Sequence, residues 1–269
     1  MPCRLLSTLL LAFAVAGSLA SAATAQEVVF LAFGDSITEG YGDTSALGGG
    51  YTNRLQRWLR QEGYDAVVES YGEGGETTSS GLSRIDSVLA GGGDYLLLME
   101  GTNDISRRAS IETIAFNLRE MAERAEALDI IAVHATVIPR IPTAPVDSSN
   151  AATSALALAI RGMGEEFHRA VADQFTLFEG LPNVFENYYY YDPEVVDVVG
   201  HPNTDGYFEM AGLFLETLLP LLEAPAIEII PPAAPVGAAQ LRFFSIEGTS
   251  VEQFVRFEWD FGDGGYALT

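Results

Sequence analysis

The 269-residue chain contains no lysine: all 14 of its basic residues are arginines, against 37 aspartates and glutamates. That absence excludes every chemistry that needs an ε-amino group, including a phosphate-loop lysine, a Schiff base and attachment of pyridoxal phosphate. Cysteine is nearly absent too. The single one, Cys3, lies in an N-terminal stretch expected to be removed, so neither disulfides nor thiol catalysis are expected of the mature chain. Positive charge is scarce, and the formal net charge is −23. A field of that sign repels polyanions, which argues against nucleic acid as a partner. Long apolar runs are lacking after the N-terminus, so no stable membrane insertion is expected.

What is present begins with a leader. Residues 1–25 carry one positive charge at Arg4, an apolar run to about Ala20 and small residues up to Ala23-Thr24-Ala25, the pattern of a cleaved secretory signal. The expectation is a secreted protein, extracellular or periplasmic. Beyond it, apolar runs at Val28–Phe33, Tyr95–Met99 and Ile130–Ala135, and a weaker one at Ala66–Val68, suit strands covered on both faces. Helical patterns separate them, over Tyr51–Glu62, Ser79–Leu89, Ser110–Leu128 and Ala151–Gln174, with a closing helix from Thr204 to Leu222. A short fifth strand is expected at Phe175–Phe178. The alternation predicts a parallel sheet of about five strands with helices on both faces, whose ligands sit at the carboxyl ends of the strands. The organisation reads as a main domain over 26–223, a proline-rich linker over 224–238 and a β-rich tail over 239–269.

Four short stretches stand out: "GDSIT" at Gly34–Thr38, "GEGGET" at Gly72–Thr77, "GTND" at Gly101–Asp104 and "GHPNTDGY" at Gly200–Tyr207. In this order they resemble the four sequence blocks of the SGNH hydrolases, the GDSL esterase/lipase family. The resemblance implies a three-layer α/β/α flavodoxin-like fold and a serine ester hydrolase that needs neither cofactor nor metal. It implies Ser36 as nucleophile, His201 as general base, and an oxyanion hole made by Ser36, Gly75 and Asn103. Asp197 is the expected orienting acid, although it stands four residues before His201 where the family has three, a place held here by Val198; a backbone carbonyl in a dyad, or Asp192 or Glu194, are the alternatives. Ser70 stands where the family commonly has asparagine, a change expected to affect loop bracing.

Chemistry assigns the same roles independently of the family. A serine hydroxyl is a weak nucleophile until an imidazole takes its proton. Of the three histidines, His134 lies inside an apolar strand and reads as a hydrogen-bonded core residue, and His168, among Glu165, Glu166 and Arg169, as part of a solvated helix face. His201 lies in a polar loop beside Pro202. Asp35 is expected to hydrogen-bond local backbone rather than to catalyse, and Arg107 and Arg108 to be surface residues. The run Tyr188–Tyr191 reads either as loop packing or as a wall for acyl or sugar groups.

A fragment near the end, Phe257–Gly265 ("FEWDFGDGG"), resembles the core signature of PKD domains, β-sandwich modules often attached to secreted hydrolases. Asp260 and Asp263 there read as turn residues rather than calcium ligands. The expected substrates are neutral short-chain or acetyl esters, including those of acetylated carbohydrates. A lysophospholipase or lipase of the same family is the first alternative, and a non-catalytic carbohydrate-binding or adhesion protein the second. A dinucleotide or flavin binder on the same sheet would need a glycine fingerprint directly after the first strand, and none is there. Oligomeric state is left open.

Overall fold

A computed structural model of the chain describes residues 27–141, 147–191 and 200–223, together with two short strands, 258–260 and 266–268. The proposed leader, the linker, most of the tail and Asp197 lie outside the described residues.

Five strands form one sheet: β1 (Val28–Gly34), β2 (Ala66–Gly72), β3 (Tyr95–Met99), β4 (Ile131–Ala135) and β5 (Val171–Ala172). Their order is β2-β1-β3-β4-β5 and every pairing is parallel. The chain moves outward from β1 to β2, then crosses back over β1 to β3 and continues the same way to β5. Because parallel crossovers are right-handed, that reversal sends the first connection to one face and the later ones to the other. Helix α2 (Gly50–Gln61) therefore packs with α9 (Thr204–Leu222), while α3 (Thr78–Leu89), α5 (Ile111–Glu126) and α6 (Asp147–Phe167) pack in succession on the opposite face. Four short helices, α1 (Ser36–Glu39), α4 (Thr102–Ser106), α7 (Gln174–Gly180) and α8 (Val184–Asn187), lie in the connections.

The central strands are apolar without alternation because both their faces are covered. Phe30, Leu31, Ala32 and Phe33 of β1 and Leu96, Leu97 and Leu98 of β3 are fully buried. Phe30 stacks on Tyr95 with ring centroids 5.0 Å apart, and Tyr51 of α2 stacks on Phe214 of α9 at 4.6 Å. Two short strands outside this sheet, β6 (Glu258–Asp260) and β7 (Tyr266–Leu268), pair antiparallel. The rest of the PKD-like stretch falls outside the described residues.

The fifth strand departs from expectation. It is Val171–Ala172, while Phe175 and Phe178 lie on α7, buried on one side of it. Their i,i+3 spacing is a helical stripe, and a four-residue apolar run cannot be distinguished from a strand by periodicity alone. The deciding signal is Asp173, which caps α7 by accepting a hydrogen bond from the Thr176 N–H. Helix α6 also stops at Phe167 instead of running on to Gln174, and the chain passes through β5 before α7 begins. His168 follows it with φ of 53°, exposed and past the helix end rather than on its face. His134 is buried in β4 as expected, but neither ring nitrogen has a hydrogen-bond partner among the described residues. Burial, reinforced by the Arg169 charge, lowers its pKa to about 4, so it is a neutral core residue at ordinary pH.

Candidate active site

The sheet register brings three of the four blocks to one place. Gly34 pairs with Gly72 on one side and with Met99 on the other, so the carboxyl ends of β2, β1 and β3 finish level. The strand order reverses between β1 and β3, and a crevice opens at such a switch point outside the strand ends. Ser36, Gly75 and Asn103 follow these ends by only a few residues.

Ser36 is the first residue of α1, where backbone N–H groups lack intrahelical acceptors. The residue before it, Asp35, is the cap of that helix: its Oδ1 accepts from the Ile37 N–H at 2.9 Å. Only 2 % of Asp35 is exposed. Burial raises its pKa to about 6, a push that the Ile37 hydrogen bond and the nearby His201 partly offset. This is the local backbone role expected of it.

His201 precedes α9 by three residues, and Asn203 caps that helix through the N–H groups of Asp205 and Gly206. The His201 loop is tied to the tyrosine run: the Tyr190 N–H donates to the His201 carbonyl at 2.8 Å, the Asn203 N–H donates to the Tyr188 carbonyl at 2.9 Å, and Tyr189 forms a β-bridge with Pro202. The result is a 2.7 Å contact between Ser36 Oγ and His201 Nε2 across 165 residues of sequence. An imidazole at that distance can take the hydroxyl proton as the oxygen attacks.

Gly75 is exposed in the loop after β2 with φ of 77°, a conformation that disfavours any side chain. Asn103 sits in α4, partly exposed; its Nδ2 donates to the Glu76 carbonyl at 2.8 Å and lies 3.4 Å from Asp35 Oδ2. The second and third blocks are thus joined by a hydrogen bond. Arg107 is exposed, and its Nη2 donates to the Gly75 carbonyl at 3.2 Å, which places it at the rim of this loop. Ser70 braces β2 against the turn that follows β1 by donating to the Thr38 carbonyl at 3.0 Å.

Several supporting residues escaped the sequence reading. Asp104, the last letter of "GTND", accepts from the Thr78 N–H at 2.9 Å and from Thr78 Oγ1 at 2.7 Å, fixing the start of α3. Arg140 holds α4 by donating to the Thr102 carbonyl at 2.6 Å. Asp43 accepts from Arg54, from the Gly50 N–H and from Thr204 Oγ1, and so ties the connection after β1 to the start of α9. Tyr41 lies against His201 with ring centroids 4.6 Å apart, and Tyr190 meets Tyr41 edge-on at 6.0 Å. Only the repeated aromatics between the blocks signalled this last group in advance. Among the described residues, no group of three or more histidines, cysteines, aspartates or glutamates is arranged to hold a metal ion.

The model of the GDSL-like Lipase/Acylhydrolase family matches residues 32–207, more than half of the chain and the whole of all four blocks. The chain belongs to that family. A curated relative, Esterase TesA of Pseudomonas aeruginosa, is 37% identical over 99 residues, which is 36% of this chain and 48% of that protein, so the match spans about half of the relative's length. Among solved structures, a crystal structure of TesA superposes with a TM-score of 0.59 at 22% identity, covering 72% of this chain and 99% of that one. Axe2, an acetylxylan esterase from Geobacillus stearothermophilus, gives 0.59 at 21% identity over 71% and 94%. A lipolytic G-D-S-L family protein from Veillonella parvula DSM 2008 gives 0.59 at 20% identity over 70% and 97%. These likenesses establish the shared α/β fold.

Proposed function

We propose that the protein is a secreted carboxylic ester hydrolase working through an acyl-enzyme, with residues 26–223 as its catalytic unit. The observation that carries the reading is the 2.7 Å contact between Ser36 Oγ and His201 Nε2 at the switch point of the sheet. Ser36 Oγ bonds to the ester carbonyl carbon while its proton passes to His201. The carbonyl oxygen becomes an oxyanion facing the N–H groups of Ser36 and Gly75 and the Asn103 amide. Collapse breaks the bond to the leaving oxygen, which takes the proton from His201 and departs as alcohol. Water then gives a proton to His201 and bonds to the acyl carbon; collapse breaks the bond to Ser36 Oγ, which takes that proton from His201, and the acid departs. Asp197 is assigned to orient and charge-balance the imidazole, as its place in the sequence four residues before His201 suggests.

The substrate class proposed is neutral short-chain or acetyl esters, including those of acetylated carbohydrates. Tyr41, 44 % exposed against His201, and Tyr191, 82 % exposed close by in the chain, offer aromatic surface suited to sugar rings. An acetylxylan esterase among the structural neighbours agrees with this choice. Among the described residues no helix is long and apolar enough to cross a membrane.

The test is hydrolysis of p-nitrophenyl acetate, acetylated xylo-oligosaccharides, longer-chain esters and lysophospholipid by the purified protein and its S36A and H201A variants. Loss of at least about 10⁴-fold in kcat for both variants is expected. Turnover unchanged in S36A would sink the assignment, and preference for lysophospholipid would replace the substrate class.

A further inference from the structure

Glu100 is the last residue before the "GTND" block, and none of it is exposed. Both carboxylate oxygens are buried, with no hydrogen-bond donor placed on them among the described residues. A full negative charge in that position would be uncompensated, so the group is more stable as the neutral acid. Its surroundings push the same way. Burial, then the neighbouring Glu76, then Asp35 all raise its pKa well above the usual carboxylate range, and only Arg84 opposes them.

The pocket is shaped around this side chain. A Cβ added to Gly81, inside α3, would lie 2.5 Å from Glu100 Oε2. Glycine in a helix interior costs stability, and here it leaves the space that the carboxyl occupies. The other wall is Glu76. Its carboxylate is gripped by Arg84, whose Nε donates to Oε1 at 2.7 Å and whose Nη2 pairs with Oε2. Arg84 also donates to the Tyr71 carbonyl at 2.7 Å and lies 4.0 Å over the Phe33 ring, so it is anchored to β2 and β1 at once. The backbone carbonyl of Glu76 is the acceptor that orients the Asn103 amide.

We infer that Glu100 is a positioning residue for the oxyanion hole: as a neutral acid it gives its proton as a hydrogen bond to the Glu76 carboxylate, and so clamps the Gly75–Glu76 loop against Asn103. The Glu76 carboxylate is then held by Arg84 on one side and by the Glu100 O–H on the other. Ionised together, the two carboxylates would repel each other, and the loop carrying Gly75 would be driven away from the Asn103 amide. The inference rests on the reading of Gly75 and Asn103 as oxyanion donors.

The experiment compares the full chain with E100Q, E100L, G81A and S36A. Glutamine keeps one N–H donor for Glu76 and cannot ionise, leucine removes the donor, and alanine at 81 pushes on the Glu100 carboxyl from α3. Hydrolysis of p-nitrophenyl acetate and inhibition by phenylboronic acid, whose serine adduct places an oxygen in the oxyanion hole, are measured together with circular dichroism. Wild-type kcat/KM is expected to fall at the alkaline pH where Glu100 ionises; E100Q is expected to stay within about threefold of wild type and to show no such fall, while E100L and G81A lose roughly 10²-fold in kcat and in boronate affinity with little change in KM. At about pH 8 the infrared spectrum of the wild type should also contain the C=O stretch of a neutral carboxylic acid that E100Q lacks. That measurement decides the matter even where E100L and G81A do not fold. A wild type without this band, folded E100L with wild-type kcat, or E100Q as impaired as E100L would each overturn the inference. If S36A is inactive and E100L unimpaired, only the Glu100 clamp falls; if S36A retains turnover, the catalytic reading falls and the clamp with it.

Discussion

At the scale of single residues the site is built from groups whose environment is set by a few contacts. Asn103 is a case where direction and size can be stated. If its amide faces the developing oxyanion, N103A should lower kcat about 10²- to 10³-fold with a small effect on KM, because the interaction is made only once charge develops. Equal losses in ground-state binding and turnover would instead mean that the amide serves the Glu76 loop alone. Asp35 supports a second prediction, through pH. Burial holds its carboxyl at about 6 in the fold, against an ordinary aspartate value of 3.8. A raised carboxylate pKa means that the folded state prefers the proton. The contribution of Asp35 is therefore most favourable below about pH 4 and is lost as pH rises towards 6, by about 3 kcal/mol in total. Asparagine offers the same capping oxygen to the Ile37 N–H but does not titrate. Urea unfolding of wild type and D35N should thus give curves that separate between pH 4 and 6 in favour of D35N and stay parallel above. A constant difference across that window would show that Asp35 keeps its proton affinity unchanged on folding.

At the scale of elements, the turn after β1 and the start of α9 are held together by Asp43 and Arg54, an ion pair at 2.6 Å whose side chains are 0% and 7% exposed. Burial alone would raise the Asp43 pKa, but hydrogen bonds from Arg54 and Ser45 outweigh it and hold the carboxyl at about 2. The pair therefore stabilises the fold at neutral pH, and its contribution fades as pH falls from about 4 towards 2. Replacing Arg54 by leucine leaves a buried carboxylate with its main partner gone, which typically costs 3–5 kcal/mol, or about that here. Because Asp43 also accepts from Thr204 Oγ1, R54L should lower kcat/KM as well, by loosening the distance between Ser36 and His201. Thermal unfolding and p-nitrophenyl acetate kinetics on one preparation check both effects; a stable, fully active R54L would refute the coupling. None of this was legible in the sequence, since Asp43 and Thr204 are 161 residues apart and neither belongs to an apolar pattern. The strands were legible because burial on both faces leaves unbroken apolar runs, as in Phe30–Phe33 and Leu96–Leu98. The misassigned strand at Phe175–Phe178 shows the limit of that signal: over four residues a buried helical stripe and a buried strand look alike, and the capping Asp173 was the informative residue.

At the scale of the whole molecule, the blocks could be read as a site because the topology does the assembling. Ser36, Gly75 and Asn103 each follow a strand end, and the register of β2, β1 and β3 puts those ends in one row. Charge is the other property that belongs to the chain as a whole. With 37 acidic residues against 14 arginines, the formal net charge is −23, and a charge of that size sets up a negative long-range field. Such a field changes encounter rates with charged esters by roughly 10-fold or more at low salt, and it is screened once the Debye length falls below about 10 Å, near 0.1 M salt. A cationic ester such as acetylthiocholine should then show kcat/KM falling as NaCl rises from about 10 mM to about 0.5 M. An anionic p-nitrophenyl ester bearing a free carboxylate should show the opposite trend, and p-nitrophenyl acetate should stay level. The neutral ester serves as the control for salt effects on folding or chemistry, so a parallel response of all three would assign the dependence to those causes. Opposite slopes for the two charged esters would show that the field of the whole chain sorts esters by charge without any dedicated residue in the crevice.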